Sequence, residues 1–595
     1  MADPIRIANG SGFFGDRRSA MYEMVEDGPI DVLTGDYLAE LTMLILARTR
    51  MKRPGGGYAR TFVSQVEAVM GTCLDRGIKV VSNAGGLDPR GCAEALGAVA
   101  DGLGLSPTIA WIDGDDLLPR AQDLVATGAL LSFEADGELG DPAAYLTANA
   151  YLGCWGIVAA LNRGADIVVT GRVTDAAVTC GPAAWHHRWE RHDWDALAGA
   201  VVAGHVLECG VQATGGNYSF FTEIPGHDDP GGGSRFGFPW AEIAADGSSV
   251  IGKHDETGGE VSIGTVTSQL LYEIGGPAYL GPDVTTRFDT VEIQAIARDR
   301  VSLSAVRGEP PPQTLKVALN ELGGYRNSFE IALTGLDIES KAAFAQAAFW
   351  DASELGPDDF ASVASRVVRT DQSDSATNEA ATAVWRLTVK DPDEQKVGRS
   401  FSNAMIETAL ASIPGFYAVT GGPAAATPYG VYRPATVPAD LVPQYVHVLG
   451  GETVSVDSVA PAGNTVVEPP AAIRTQLETG ATVPVPLGTV VGARSGDKGG
   501  DANLGVFARS DEAWAWLDSF LTTDRLRELL PEVDDLRVDR HVFANLRALN
   551  FVIRGLLEEG VAASTRRDAQ AKSLGEWLRS RIVEVPETLF TSGPS

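Results

Sequence analysis

Cysteine is scarce in this sequence, and what there is does not pair. The 595 residues hold five cysteines (Cys73, Cys92, Cys154, Cys180 and Cys209), an odd number, widely spread and without a C-x-x-C pair. That excludes a disulfide framework or a zinc ribbon and leaves buried free thiols. Long apolar runs are missing too: no stretch reaches the roughly eighteen residues that a membrane span needs. The start, MADPIRIANG, has neither a basic region nor an apolar signal core, so the expectation is a cytoplasmic protein. Positive charge is in short supply, with 47 Lys+Arg against 78 Asp+Glu and a net charge of −31. Such a balance repels polyanions and speaks against nucleic acid or an anionic membrane surface as partner. Small anionic substrates stay open, because salt screens the far field over about 8 Å and a few arginines inside a cleft override it. No H-E-x-x-H or Cys/His spacing offers a metal site, and short repeats, heptads and low-complexity tracts are absent.

What is present is material for large cores: 44% of the residues are hydrophobic and 21% charged, and the length suggests three or four domains. The first 210 residues repeat one grammar, a short β-branched run, a glycine-containing polar turn, then an amphipathic helical pattern. IRIANGSGFFGDRRSA, IDVLTGDYLAEL, IKVVSNAGGLDPRGCAEAL and ADIVVTGRVTDAAV are the units, with a further strand, TIAWIDGDD, between the last two. Consecutive apolar positions, Val80-Val81 and Ile167-Val168-Val169, must be covered on both faces, which predicts an α/β fold with an open, mostly parallel sheet flanked by helices. Phe62, Val66, Val69, Met70 and Cys73 recur at helical spacing before the third strand. In such sheets ligands sit outside the carboxyl ends of the strands, so the turn residues Asn9, Asp36, Asn83, Arg172 and Asp175, with Gly85, should converge on one rim.

From about residue 211 the glycine-rich segment QATGGNYSFFTEIPGHDDPGGGSRFGFP reads as a long loop of the kind that covers sites. The expected domains are 1–261, α/β with a strand-end cleft; 262–455, α+β; a Pro/Gly/Thr-rich linker at 456–486; and a ferredoxin-like α+β unit at 487–590.

NGSGFFGD, SNAGGLDP, VTGRVTD, LECGVQATGG, QLLYEIGGPAYLGPDV and RSGDKGGDANLGV together carry a resemblance. The chain resembles the acyclic terpene utilisation AtuA family almost end to end, in the version whose large domain is followed by a small AtuA-like ferredoxin-fold domain. The resemblance implies a setting of acyclic terpene and branched acyl-CoA breakdown alongside biotin-dependent acyl-CoA carboxylases, and it assigns no residue a role. After Gly216 the sequence departs from the family pattern: Asn217-Tyr218-Ser219 stands where a tyrosine-phenylalanine pair is expected.

Several residues could carry chemistry. Gly10, Gly12 and Gly15 form a G-x-G-x-x-G between strand and helix with Asp36 some twenty residues on, the setting of an NAD(P) site, although Phe13 and Phe14 crowd it; the alternative is a tight turn. Arg172, in a glycine turn ahead of a helix, suits a carboxylate or a CoA phosphate; alternatively Thr174 or Asp175 caps the helix and Arg172 pairs with Asp36. Cys209 is a candidate nucleophile with His205 four residues away, and Glu208 a candidate base. His186, His187 and His192 read as a solvated segment, and Mg2+ on Asp36 and Asp175 is open. Arg494 to Asn503, with Lys498, could form an anion-holding turn able to close the Arg172 rim, or be a self-satisfied charged turn. The leading expectation is an enzyme acting on an acyl-CoA or small carboxylate. Arg172, Asn83, Gly85, Arg494 and Lys498 would bind it, Asp175, Glu208, Cys209 or Asp36 would catalyse, and the Gly215 and Gly216 N–H groups would stabilise an oxyanion. Rival readings are a non-catalytic partner of an acyl-CoA carboxylase and an NAD(P)-dependent oxidoreductase. A homo-oligomer is expected on size.

Overall fold

The computed structural model describes residues 3–53, 55–133, 137–228, 235–419, 424–458 and 480–591; most of the expected linker therefore lies outside the described residues. Five short strands form the middle of the main sheet: β1 (Ile5–Asn9), β2 (Val32–Gly35), β3 (Lys79–Ser82), β4 (Ile109–Asp113) and β5 (Ile167–Thr170). They pair in parallel in the order β1-β2-β3-β5-β4. Their apolar positions divide between two cores. Ile7, Val32, Val81 and Val168 pack into one, with the helices Trp155–Leu161, Ala177–His187 and Trp194–Leu207. Ala8, Leu33, Val80 and Val169 pack into the other, with the helices Arg60–Arg76 and Pro89–Leu103. Covering both faces is what the unbroken apolar strands demand. The helix Arg60–Arg76 buries the expected stripe, Phe62, Val66, Val69, Met70 and Cys73, and ends on Gly77 in the left-handed conformation, φ 71°.

Antiparallel strands extend this parallel middle on both sides. Beyond β1 lie β6 (Pro239–Ile243), β7 (Ser249–Lys253), β9 (Arg300–Ser304) and β8 (Glu292–Ala297), in that order. Beyond β4 lie β10 (Gln444–Val448) and β11 (Thr453–Val456), making an eleven-stranded mixed sheet. Chain segments made hundreds of residues apart thus share one sheet.

By compactness the chain divides into two units. The first comprises Met1–Asn320, Tyr432–Val561 and Gln570–Ser595. It includes, towards the C-terminus, a four-stranded antiparallel sheet of β12 (Val491–Lys498), β13 (Asp501–Ala508), β14 (Val538–Phe543) and β15 (Ala548–Ile553), in the order β12-β13-β15-β14. The helices Asp511–Phe520, Thr523–Leu529 and Leu574–Arg579 accompany this sheet, which has a core of its own. Phe507, Phe543 and Ala548 belong instead to the large core. The second unit, Glu321–Val431 with Ala562–Ala569, pairs residues 325–334 with the strand Thr382–Asp391 and is centred on Phe329, Phe349, Trp385 and Phe401.

Candidate functional site

The turn after β5 is built around a carboxylate. A Cβ on Gly171 would sit 2.3 Å from Asp115 Oδ1, so glycine alone admits the Asp115 side chain, which accepts from the Arg172 N–H at 2.9 Å and from Asn149 Nδ2 at 2.7 Å. Burial nevertheless pushes Asp115 up to about 7. Held by this turn, the Arg172 side chain is 2% exposed. Its guanidinium lies over the Tyr151 ring at 4.1 Å and donates through Nη1 to Asp175 Oδ1 at 2.7 Å and to the Leu38 carbonyl at 3.2 Å. Nε is buried without a hydrogen-bond partner among the described residues. The following helix begins behind Ala176 with no side-chain cap, so neither Thr174 nor Asp175 caps it, and the partner of Arg172 is Asp175, not Asp36.

Asp36 joins the neighbouring turns. Its Oδ1 accepts from Asn83 Nδ2 at 2.5 Å and from the Leu38 N–H at 3.1 Å, while Asn83 Oδ1 accepts from the Tyr37 N–H at 2.8 Å. Gly85 permits a close approach here, because a Cβ on it would meet the Thr170 carbonyl oxygen at 2.5 Å. Asp36, Asn83, Asp175 and Arg172 therefore gather at one rim. Burial, reinforced by Asp175, raises Asp36 to about 8. Burial also raises Asp175, against the pull of Arg172. Glu208 is pushed well above the usual carboxylate range by burial and by the charges of Asp175, Asp36 and Glu273. His205 Nδ1 stands 3.3 Å from Glu208 Oε1. Burial and Lys498 lower this imidazole to about 4, so the pair is a neutral histidine beside a protonated acid and not an ion pair.

A second set of groups opposes the acids. Lys316 Nζ lies 4.7 Å from the Tyr151 ring and 3.3 Å from Glu40 Oε1, which also accepts from the Tyr151 hydroxyl at 2.8 Å. Burial works against charge on Glu40, yet Lys316 and Arg172 hold its carboxyl well below the usual range. Lys316 Nζ is also 5.9 Å from the Tyr432 ring, and Tyr432 packs against Gly499 and Gly560. The β12–β13 turn thus meets the Arg172 rim through Tyr432, Lys316 and Tyr151. That hairpin lies close because Gly496 and Gly505 carry no side chain: a Cβ there would strike the Tyr272 ring at 2.5 Å and Leu271 Cβ at 2.6 Å. Arg494 lies over the Tyr272 ring at 4.2 Å and donates to Gln212 Oε1, and Lys572 donates to the Tyr272 hydroxyl. Lys498 donates to the Glu273 carbonyl at 2.9 Å. Its side chain is open to solvent, yet burial and Lys316 pull its ammonium down to about 8. Lys498 thus combines exposure with desolvation by its neighbours; half-buried Asp175, Glu40, Cys209, Lys316 and Tyr279 share that character.

Residues 5–448 match the family model described as acyclic terpene utilisation family protein AtuA, and residues 485–584 match the AtuA ferredoxin-like domain. The chain belongs to the AtuA family. Its α/β fold with a ferredoxin-like C-terminal domain accords with the sequence reading. No curated protein and no solved structure matches it.

In this AtuA family member several expected sites are otherwise engaged. A Cβ on Gly12 would meet the Cys209 carbonyl carbon at 2.5 Å and Gly210 N at 2.8 Å, so this turn lies directly against another stretch of backbone. The Ser11 and Gly12 N–H groups already donate to Asn9 Oδ1 and Asp16 Oδ2, both at 2.8 Å. Gly10 packs on Met21 and Gly15 takes φ 116°, so the G-x-G-x-x-G is a tight turn. Gly215 and Gly216 donate their N–H groups to the Gln212 and Val211 carbonyls, at 3.3 and 2.9 Å, and have none left for an oxyanion. Residues 229–234 of that loop lie outside the described residues. Cys209 is half-buried, burial and Glu208 push its thiol well up, and His205 faces Glu208. His186 and His187 each contact a backbone carbonyl, His192 is exposed, and among the described residues no three His, Cys, Asp or Glu are grouped as a metal requires. No described helix is long and apolar enough to cross a membrane. Ser219, in the departing triplet, accepts from the Ala493 N–H at 2.9 Å and donates to its carbonyl at 2.7 Å, tying the loop to β12. Sequence reasoning missed Glu40, Tyr151, Tyr272, Tyr279, Lys316, Tyr432 and Lys572, although Glu40 falls in the unit IDVLTGDYLAEL and Tyr272 and Tyr279 in QLLYEIGGPAYLGPDV.

Proposed function

We propose that this protein is an enzyme of acyclic terpenoid or branched acyl-chain breakdown that moves a proton next to the carbonyl of an acyl-CoA or related small carboxylate. The arrangement that supports the reading is buried Glu208 within electrostatic reach of Asp175, Asp36 and Arg172, with Lys316 on the same Tyr151 ring as Arg172. Cations there neutralise a carboxylate or a developing enolate in a low-dielectric surrounding. Glu208, pushed well above the usual carboxylate range, would serve as general acid, with Asp175, paired with Arg172, able to take the proton in return. Hydration or lyase chemistry fits this set better than thiol-dependent hydrolysis, since Cys209 remains a thiol. With this much titratable chemistry converging on one cleft, catalysis accounts for the geometry more fully than a docking role beside a carboxylase. The test is calorimetry with a branched short-chain enoyl-CoA and with the free acid. Arg172→Gln should weaken both by about tenfold or more, the worth of a charge-assisted pair. Glu208→Gln should keep binding and lose turnover of the enoyl-CoA. Absence of binding to the wild-type protein, or unchanged affinity in Arg172→Gln, refutes the reading.

A further inference from the structure

Arg494 is 6% exposed, and a guanidinium stays charged at any physiological pH. Its partners are the Gln212 amide oxygen and the face of Tyr272; among the described residues it forms no ion pair. A buried charge whose direct partners among the described residues are neutral is costly, and an anion from outside the chain would complete such a site. The neighbourhood supports this. Lys572 reaches Asp497 and Glu273 at 3.3 and 3.4 Å, and Lys498 donates to the Glu273 carbonyl. Burial raises Asp497 to about 7, so its negative charge is incomplete near neutrality. Cys209 lies within the electrostatic reach of Arg494, and its chain neighbour Glu208 within that of Arg172. The adjacent residues Glu208 and Cys209 are thus within reach of two cationic side chains with different owners, the β5 turn and strand β12.

We propose that Arg494, with Lys498 and Lys572, is a second anion subsite, and that the substrate carries two carboxyl functions, one held at Arg172 and Lys316 and the other at Arg494. A dicarboxylic acid or its half-thioester answers this description. The inference rests on the carboxylate reading of the Arg172 end and adds the second charge. Calorimetry on the full chain, with butyrate against succinate, glutarate and adipate, tests it. One of the diacids should bind about tenfold or more tighter than butyrate. Arg494→Gln should erase that advantage, Arg494→Lys should restore part of it, and Arg172→Gln should weaken butyrate and diacid alike. Butyrate binding with no diacid preferred, or a preference that survives Arg494→Gln, overturns the second subsite and spares the first. Failure of every acid to bind overturns both. Unchanged far-UV circular dichroism and thermal unfolding of Arg494→Gln separate loss of the subsite from loss of the fold.

Discussion

Replacing Asp36 by asparagine probes the acid cluster through stability, without knowledge of the substrate. The asparagine Oδ1 can still accept from Asn83 Nδ2 and the Leu38 N–H, so the hydrogen bonds of the turn survive. What disappears is a titration. In the folded protein burial and Asp175 hold the Asp36 proton up to about pH 8, whereas an unfolded aspartate releases it near 3.8. The native state therefore binds one more proton across that interval, and stability contributed by this group is full below the unfolded value and lost as pH rises towards 8. The slope is about 1.4 kcal/mol per pH unit and tapers near 8, so between pH 6 and 8 the wild-type protein should lose roughly 2 kcal/mol that Asp36→Asn keeps. Asp115 and Glu208 impose slopes of the same sign on both proteins, so the difference between the two curves is the quantity to read. Urea midpoints at half-unit pH steps, followed by pulse proteolysis of peptides spanning residues 27–76, report unfolding where the turn sits. Parallel curves from pH 5 to 8 would mean that Asp36 is ionised in the native protein, and the proton-sharing cluster would have to be abandoned.

Two further outcomes follow from packing and desolvation. Gly12→Ala places a Cβ 2.5 Å from the Cys209 carbonyl carbon and should destabilise the protein by about 1–3 kcal/mol, whereas Gly102→Ala, with nothing within 4 Å, should not; equal thermal unfolding temperatures for the two would contradict the close approach. Cys209 is the only cysteine that is not fully buried, yet its raised thiol should resist iodoacetamide at pH 7.5, and rapid carbamidomethylation there on peptide mapping would show a thiolate the geometry does not provide.

Much of this protein is written locally. Val80-Val81 and Ile167-Val168-Val169 can only be interior strands, because both faces of each are apolar, and Phe62 to Cys73 can only be a one-sided helix. The turns at Asp36, Asn83 and Arg172 follow from the ends of those strands, so their convergence was legible. Their chemistry was not. A pKa depends on distances through space and on the removal of water, and neither is encoded in a residue's chain neighbours. Arg172 finds Asp175 beside it in sequence, but the cations and rings that complete the cleft arrive from Tyr151, Tyr272, Lys316, Tyr432 and Lys498, brought together only when β12 and β13 fold onto Leu271 and Tyr272. For the same reason Gly12 and Gly216 looked like ligand-binding glycines in the sequence and proved to be places where one stretch of backbone lies against another or closes a turn. Sequence alone determined the strands, helices and corners, since local periodicity dictates which surfaces must be covered. Tertiary structure alone decided which charges face each other in the interior, and that arrangement pushes Glu208 well above the usual carboxylate range and leaves Arg494 without an ion pair among the described residues.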